Sequence, residues 1–206
     1  MQRIGIFGGT FDPIHLGHLV LAEQCREQMR LDQVWFMPAA RPPHKLDRSL
    51  TPFGQRVEMI ALAIAGNPAF RIDEAEKERA GPSYTADTMA ALHARHPDDE
   101  FWLMIGSDTL ADLPSWHEPR RVIEQAGLIV TARHAHPVLT AEQVRTALGL
   151  PEEVALRYHF VETPVIDISS RDLRRRAAEG HSLRYQVPRA VECYIEDKRL
   201  YRTTVH

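Results

Sequence analysis

The sequence predicts an α/β fold, a mostly parallel sheet with helices on both faces. Three observations carry that reading. Short apolar runs of strand length alternate with segments of helical period along the chain. Its 206 residues, 44% hydrophobic and 26% charged, suffice for one sizeable core. Polar and glycine-rich pieces fall directly after the apolar runs, where parallel sheets bind ligands. The architecture expected is therefore a Rossmann-like, doubly wound sheet with a small C-terminal helical part, forming a single domain over 1–206.

Ile4 to Phe7 is the first strand. From His15 to Met29, the residues Leu16, Leu19, Val20, Cys25 and Met29 suit a helix with one buried face. Val34 to Met37 is the second strand, stopped by Pro38. Residues 38–51 read as a Pro- and Arg-rich loop, long enough to be a candidate lid. Thr51 looks like an N-cap with Pro52 at the first helical position, and that helix runs to about Ala65. Phe70 to Ile72 is a short third strand. A helix follows Gly81–Thr85 and reaches about His96. Phe101 to Ile105, the most apolar strand, ends in Gly106-Ser107-Asp108. Further helices are expected near 118–125, 140–148, 170–178 and 188–197, and further strands at Leu128–Val130 and Tyr158–Val161.

The bulk numbers exclude several classes. A net charge of −3 argues against a general nucleic-acid binder, which needs a basic field. The 2 cysteines, Cys25 and Cys193, lie far apart with no Cys-x-x-Cys, so neither a disulfide framework nor a structural zinc site is expected, and a reduced cytoplasm fits. No apolar run has the length of a membrane span, and the first strand begins too early for a signal peptide.

The chemistry gathers at Gly8-Gly9-Thr10-Phe11-Asp12-Pro13-Ile14-His15-Leu16-Gly17-His18. It reads as strand, glycine turn and helix start. Glycines let the backbone approach a ligand, and a helix N-terminus offers free N–H groups to an anion. A ligand-free tight turn would also explain the glycine pair. His15 and His18, three apart, share one helical face. Neither a Walker sequence, a G-x-G-x-x-G fingerprint nor an HExxH zinc motif is present. A metal pair is one use of such histidines; donors to phosphate oxygens are the better one. Farther on, Ile168-Ser169-Ser170-Arg171-Asp172-Leu173-Arg174 reads as a serine-capped basic helix. His93, His96, His134 and His136 sit at helix ends or in loops, and surface placement is expected for them.

The first stretch resembles the G-x-F-D-x-x-H-x-G-H signature of the nucleotidylyltransferase superfamily at Gly9, Phe11, Asp12, His15, Gly17 and His18. The second resembles the superfamily's Ile-Ser-Ser-Thr-x-Ile-Arg, with Arg171 in place of Thr and Leu173 in place of Ile. Pro42-Pro43-His44-Lys45, Ser83-Tyr84-Thr85, Gly106-Ser107-Asp108 and Leu113-Pro114-Ser115-Trp116 follow one another as in the bacterial nicotinate-nucleotide adenylyltransferases. The likeness runs from Ile4 to Leu200-Tyr201.

That resemblance implies transfer of the adenylyl group of ATP to nicotinate mononucleotide, giving nicotinate adenine dinucleotide and pyrophosphate. It implies catalytic roles for His15 and His18. ATP would be held by Gly8, Gly9, Thr10, Phe11, His18, Lys45, Arg133, Ser169, Ser170 and Arg174, with the segment from about 168 to 206 completing its site. Nicotinate mononucleotide would meet Lys45, Tyr84, Thr85, Asp108 and Trp116: the tryptophan stacked on the pyridine ring, Thr85 offering backbone N–H to the carboxylate, Asp108 on a ribose. Mg²⁺ would be carried mainly by the ATP phosphates. It assigns no role to Arg171.

Overall fold

The computed structural model describes residues 1–41, 50–77, 81–132 and 136–202. In chain order it gives β1 (Arg3–Gly9), α1 (Leu16–Gln28), β2 (Gln33–Pro38), α2 (Phe53–Ile64), β3 (Phe70–Ile72), α3 (Thr85–Arg95), β4 (Glu100–Gly106) and α4 (Ser107–Asp112). A short 3₁₀ turn (Leu113–Ser115) leads to α5 (Pro119–Gln125), β5 (Gly127–Thr131), α6 (Ala141–Leu148), β6 (Tyr158–Val161), α7 (Ser170–Ala178) and α8 (Arg189–Asp197).

The strands pair in parallel in the order β3-β2-β1-β4-β5-β6. The chain winds outward from β1 to β3, then returns to the other side of β1 through β4. The direction of winding thus reverses between β1 and β4, and a crevice opens beyond their C-terminal ends. Every predicted strand is present.

Period-two alternation sorts the strand residues to two cores. Val34, Phe36, Trp102, Met104 and Ile129 face one side, where Ala22 and Cys25 of α1, Met59 and Ile60 of α2, Leu173 of α7 and Val191 and Ile195 of α8 cover them. Ile4, Ile6, Trp35, Phe101, Leu103, Leu128 and Val130 face the other, under Met89 and Leu92 of α3, Val122 and Ile123 of α5 and Val144 and Leu148 of α6. Full burial on both faces explains why these strands read as unbroken apolar runs.

Three local expectations are corrected. Residues 107–112 form helix α4, which the sequence reading missed; a six-residue helix with buried Ser107 and Leu110 carries no periodic signal. Thr51 is not the N-cap of α2: Pro52 holds that position and makes no side-chain cap. The Thr51 backbone faces the glycine turn instead, its N–H donating to Asp12 Oδ2 at 3.3 Å. Finally, His93 and His96 are half-buried. His93 Nε2 pairs with the Gln125 carbonyl at 2.7 Å, and His96 packs edge-on against Trp35. Residues 42–49 of the expected loop, Pro42-Pro43-His44-Lys45 included, lie outside the described residues, as do Arg133 and His134.

Candidate active site

β1 ends in Gly8 and Gly9 at the C-terminal edge of the sheet. A Cβ on Gly8 would meet open space, so the backbone there is accessible to a ligand. At Gly9 a Cβ would press on the Phe11 ring from 3.0 Å. Phe11 adopts a left-handed backbone, φ 48°, and turns its ring into the core against Phe7, Phe36 and His18. It therefore supports the site from beneath. The turn is pinned by Arg56, only 1% exposed, which donates to the carbonyls of Thr10 at 2.8 Å and Thr51 at 2.9 Å. Burial pushes the Arg56 guanidinium down from its ordinary pKa, while the nearby charge of Asp12 pulls it back up.

His15 is the N-cap of α1 and is buried. His18, one turn on, stacks against it with ring centroids 3.7 Å apart and planes 24° apart. The His15 backbone N–H donates to His18 Nδ1 at 3.2 Å. Because that nitrogen accepts, the neutral His18 ring carries its hydrogen on Nε2 and can offer it to an anion. A Cβ on Gly17 would lie 3.1 Å from His15 Nδ1, so any larger residue would crowd the stacked pair.

The second signature docks onto this turn. Ser169 caps α7: its Oγ accepts from the Asp172 N–H at 3.1 Å and donates to Asp172 Oδ2 at 3.0 Å. That bond, then Arg175, holds the Asp172 carboxyl below its ordinary pKa. Ser170 Oγ donates to the Pro13 carbonyl at 2.9 Å, and Arg174 Nη1 to the Asp12 carbonyl at 2.6 Å. The start of α7 thus lies against the segment between the glycines and the histidines.

A cleft of about 260 Å³ opens here, lined by His15, Gly17, His18, Asp108, His136 and Ser169, with residues 163–168 as its outer wall. His136 is exposed, as expected, yet borders this cleft. A second pocket of about 620 Å³ is lined by Ser83, Tyr84, Thr85, Thr109, Asp112, Ser115, Trp116 and His117. Thr85 is the first residue of α3, whose N-cap is Tyr84. The Tyr84 ring lies 4.3 Å from that of His117. Asp108, grouped with Tyr84, Thr85 and Trp116 from sequence, borders the histidine cleft, while its neighbour Thr109 lines the second pocket. The first turn of α4 therefore separates the two spaces.

Asp12 stands in the first signature without an assigned role, and Arg56 and Tyr201 are builders of the site that no motif announces. For Arg56 a signal existed: it shares a helical face with Phe53, Met59, Ile60 and Ala63. Tyr201 had none, because its partner Asp12 is 189 residues away.

This geometry coincides with a match to a known family. The cytidylyltransferase-like family model covers residues 6–176. A probable nicotinate-nucleotide adenylyltransferase of Thermomicrobium roseum is 45% identical over 203 residues, 98% of this chain and 93% of the relative. One from Thermus thermophilus is 44% identical over 201 residues, covering 98% and 100%. The chain belongs to the cytidylyltransferase-like family and, within it, to the nicotinate-nucleotide adenylyltransferases. These are nucleotidyltransferases. A solved structure of Plasmodium falciparum nicotinic acid mononucleotide adenylyltransferase complexed with NaAD shares the fold, with a TM-score of 0.79 at 21% identity and 98% coverage of both chains. The same protein complexed with APC gives 0.78 at 20% identity.

Proposed function

We propose that the protein transfers the adenylyl group of ATP to nicotinate mononucleotide, with the histidine cleft taking ATP and the Trp116 pocket taking the acceptor. The observation that carries this reading is the meeting of the His15–His18 pair with the start of α7 at the C-terminal edge of β1 and β4, beside a separate pocket holding Tyr84, Thr85 and Trp116.

A phosphate oxygen of the mononucleotide attacks the α-phosphorus of ATP. One P–O bond forms, the bond to the β-phosphate bridging oxygen breaks, and pyrophosphate leaves with the electron pair. The attacking phosphate has a second pKa near ~6 and is ionised at neutral pH, so no protein base is required. The protein's task is to align two anions in line and to neutralise their repulsion. His18 offers Nε2–H to the α-phosphate. Backbone N–H groups at the starts of α1 and α7, with Arg174, hold the triphosphate. Lys45 and Arg133 add charge from outside the described residues. Thr85 presents the N-terminus of α3 to the nicotinate carboxylate, and Trp116 offers its face to the pyridine ring.

Mg²⁺ would ride on the triphosphate. Among the described residues no three His, Cys, Asp or Glu side chains gather to hold a metal ion, and the donors at the cleft suit phosphate. The bound cation would supply further neutralisation of the phosphates. Also among the described residues, no helix is long and apolar enough to cross a membrane. The small-molecule chemistry and the cysteine usage favour action in the cytoplasm, without nucleic acid.

The test is pyrophosphate release from ATP with nicotinate mononucleotide or its amide analogue. A carboxylate received by a helix N-terminus favours the acid by about two- to thirtyfold in kcat/KM. Equal values for the two would overturn the acceptor assignment.

A further inference from the structure

The turn that follows α8 reaches back into the site. The Tyr201 hydroxyl donates to Asp12 Oδ1 at 2.7 Å, across 189 residues. Asp12 is 1% exposed, and its other carboxylate oxygen accepts the Thr51 N–H. Its main-chain carbonyl accepts Arg174 Nη1, and the next carbonyl, Pro13, accepts Ser170 Oγ. Three distant segments therefore converge on one residue between the glycines and the histidines. The side chain of Asp12 is clamped by Thr51 and Tyr201, and its backbone is what α7 docks on.

We propose that Tyr201 is a positioning residue for the nucleotide half of the site, its hydroxyl occupying the Asp12 carboxylate so that Arg174 stays aimed at phosphate. Tyr201 and the Thr51 N–H fill the Asp12 carboxylate, while Arg174 is held on the main-chain carbonyl of the same residue. A buried carboxylate must be fully hydrogen-bonded. If the Tyr201 donor is removed, Asp12 needs another, and Arg174 is already bonded to the same residue. A guanidinium prefers a carboxylate to a carbonyl, because both partners are then charged. Arg174 is drawn onto Asp12 and away from the triphosphate. The Tyr201 ring packs with Leu200 against the core around α2 and α8. That packing survives loss of the hydroxyl, so fold and positioning are separable. The contrast is Tyr194 of α8, whose hydroxyl donates to Glu58 Oε2 in an exposed pair.

This role rests on the assignment of ATP to the histidine cleft and deepens it. The experiment compares wild type, Y201F, Y194F and the double variant D12N/Y201F. It measures calorimetric binding of a non-hydrolysable ATP analogue, KM for each substrate, and Tm. Y201F is expected to weaken analogue binding and raise KM for ATP about five- to tenfold, with the acceptor KM within about twofold. Y194F changes neither. In the double variant the neutral amide no longer attracts Arg174, and analogue affinity recovers relative to Y201F. The proposal is overturned if Y201F leaves ATP affinity intact, if it raises both KM values in parallel, if Y194F reproduces its effect, or if D12N gives no relief. Absence of pyrophosphate release by the wild type would instead remove the acceptor assignment, while analogue binding would still decide the role of Tyr201.

Discussion

Ser170 and Pro13, 157 residues apart, are joined by a 2.9 Å hydrogen bond from the serine hydroxyl to the proline carbonyl. One helical turn later Arg174 makes the equivalent bond to Asp12. Together they fix α7 to the glycine turn at two adjacent carbonyls. Replacing Ser170 by Ala leaves the Pro13 carbonyl short of a donor, at a cost of about 1–2 kcal/mol. Replacing Arg174 by Lys keeps the charge but loses the planar fork that can bond the carbonyl and a phosphate at once. For Arg174→Lys we expect KM for ATP to rise about tenfold with the acceptor KM unchanged, measured by varying each substrate at saturation of the other. A parallel rise in both constants would mean that the helix has come off the sheet.

The stacked histidines predict a different signature. His18 accepts the His15 N–H and so helps cap α1. Its loss should cost stability about 1 kcal/mol, as for other caps. A donor lost from charge developing in the transition state costs far more in rate, about 10²- to 10³-fold in kcat. Single-turnover measurement on His18→Ala with both substrates saturating separates the two effects. A turnover number within a few-fold of wild type would remove His18 from the chemistry.

Trp116, half-buried, lines the second pocket together with Tyr84 and Thr85. Stacking of one aromatic ring on another contributes about 0.5–1.5 kcal/mol beyond area burial. Trp116→Ala should therefore raise the acceptor KM about tenfold or more, while Trp116→Phe retains much of the affinity. KM for ATP should stay within about twofold in both, because the first turn of α4 separates the cleft from the pocket. An equal effect on ATP would show that the two spaces hold one ligand.

The legible parts of this chain are the periodic ones. β1, β2, β4 and β5 lie where their apolar runs place them, since a buried parallel strand declares itself by composition. Ser169, Ser170 and Arg174 could be paired with the glycine turn only through a family resemblance. Nothing in local pattern links residues 13 and 170. Helix α4 was hidden because six residues are too few to show a period, and with it went the division that sets Asp108 apart from Trp116. Arg56 was visible as a charge on an apolar face, but its purpose lay in two carbonyls on other segments. Tyr201 lies past the helix expected near 188–197 and entered only as the end of the family likeness. Hydrogen bonds across such separations are decided by the fold as a whole, and no window along the sequence contains both partners.

The two thiols should behave oppositely. Cys25 has no exposure, and burial pushes its pKa up to about 12. Thiolate is the reactive form, so Cys25 should be inert in the native protein. Cys193 is exposed. A chromogenic disulfide reagent at about pH 8 should titrate one thiol rapidly in the native state and both in denaturant. The slow phase should track global unfolding. Rapid reaction of both would show that the packing of α1 on the sheet opens locally.

Alkaline pH should loosen the same turn that Tyr201 secures. Burial, then the charge of Asp12, raises the Tyr201 phenol above its ordinary pKa. Burial also raises Tyr158, and burial with the Glu58 hydrogen bond raises Tyr194 to about 12. In the unfolded chain a tyrosine ionises near ~10. Between that value and the higher folded one, the unfolded state binds fewer protons than the native state, so stability falls as pH rises. The stabilisation is fully present below about pH 10 and is lost progressively above it. The buried Tyr201 phenol contributes up to about 1.4 kcal/mol per pH unit to the slope. Urea denaturation of wild type and Tyr201→Phe at intervals from about pH 8 to about 11.5 should give curves that run together below about pH 10 apart from a constant offset, then converge as wild type loses the Tyr201 contribution. Curves that stay parallel through that range would mean that the Tyr201 phenol ionises in the folded protein as readily as in the unfolded one, and that its bond to Asp12 is not maintained in solution.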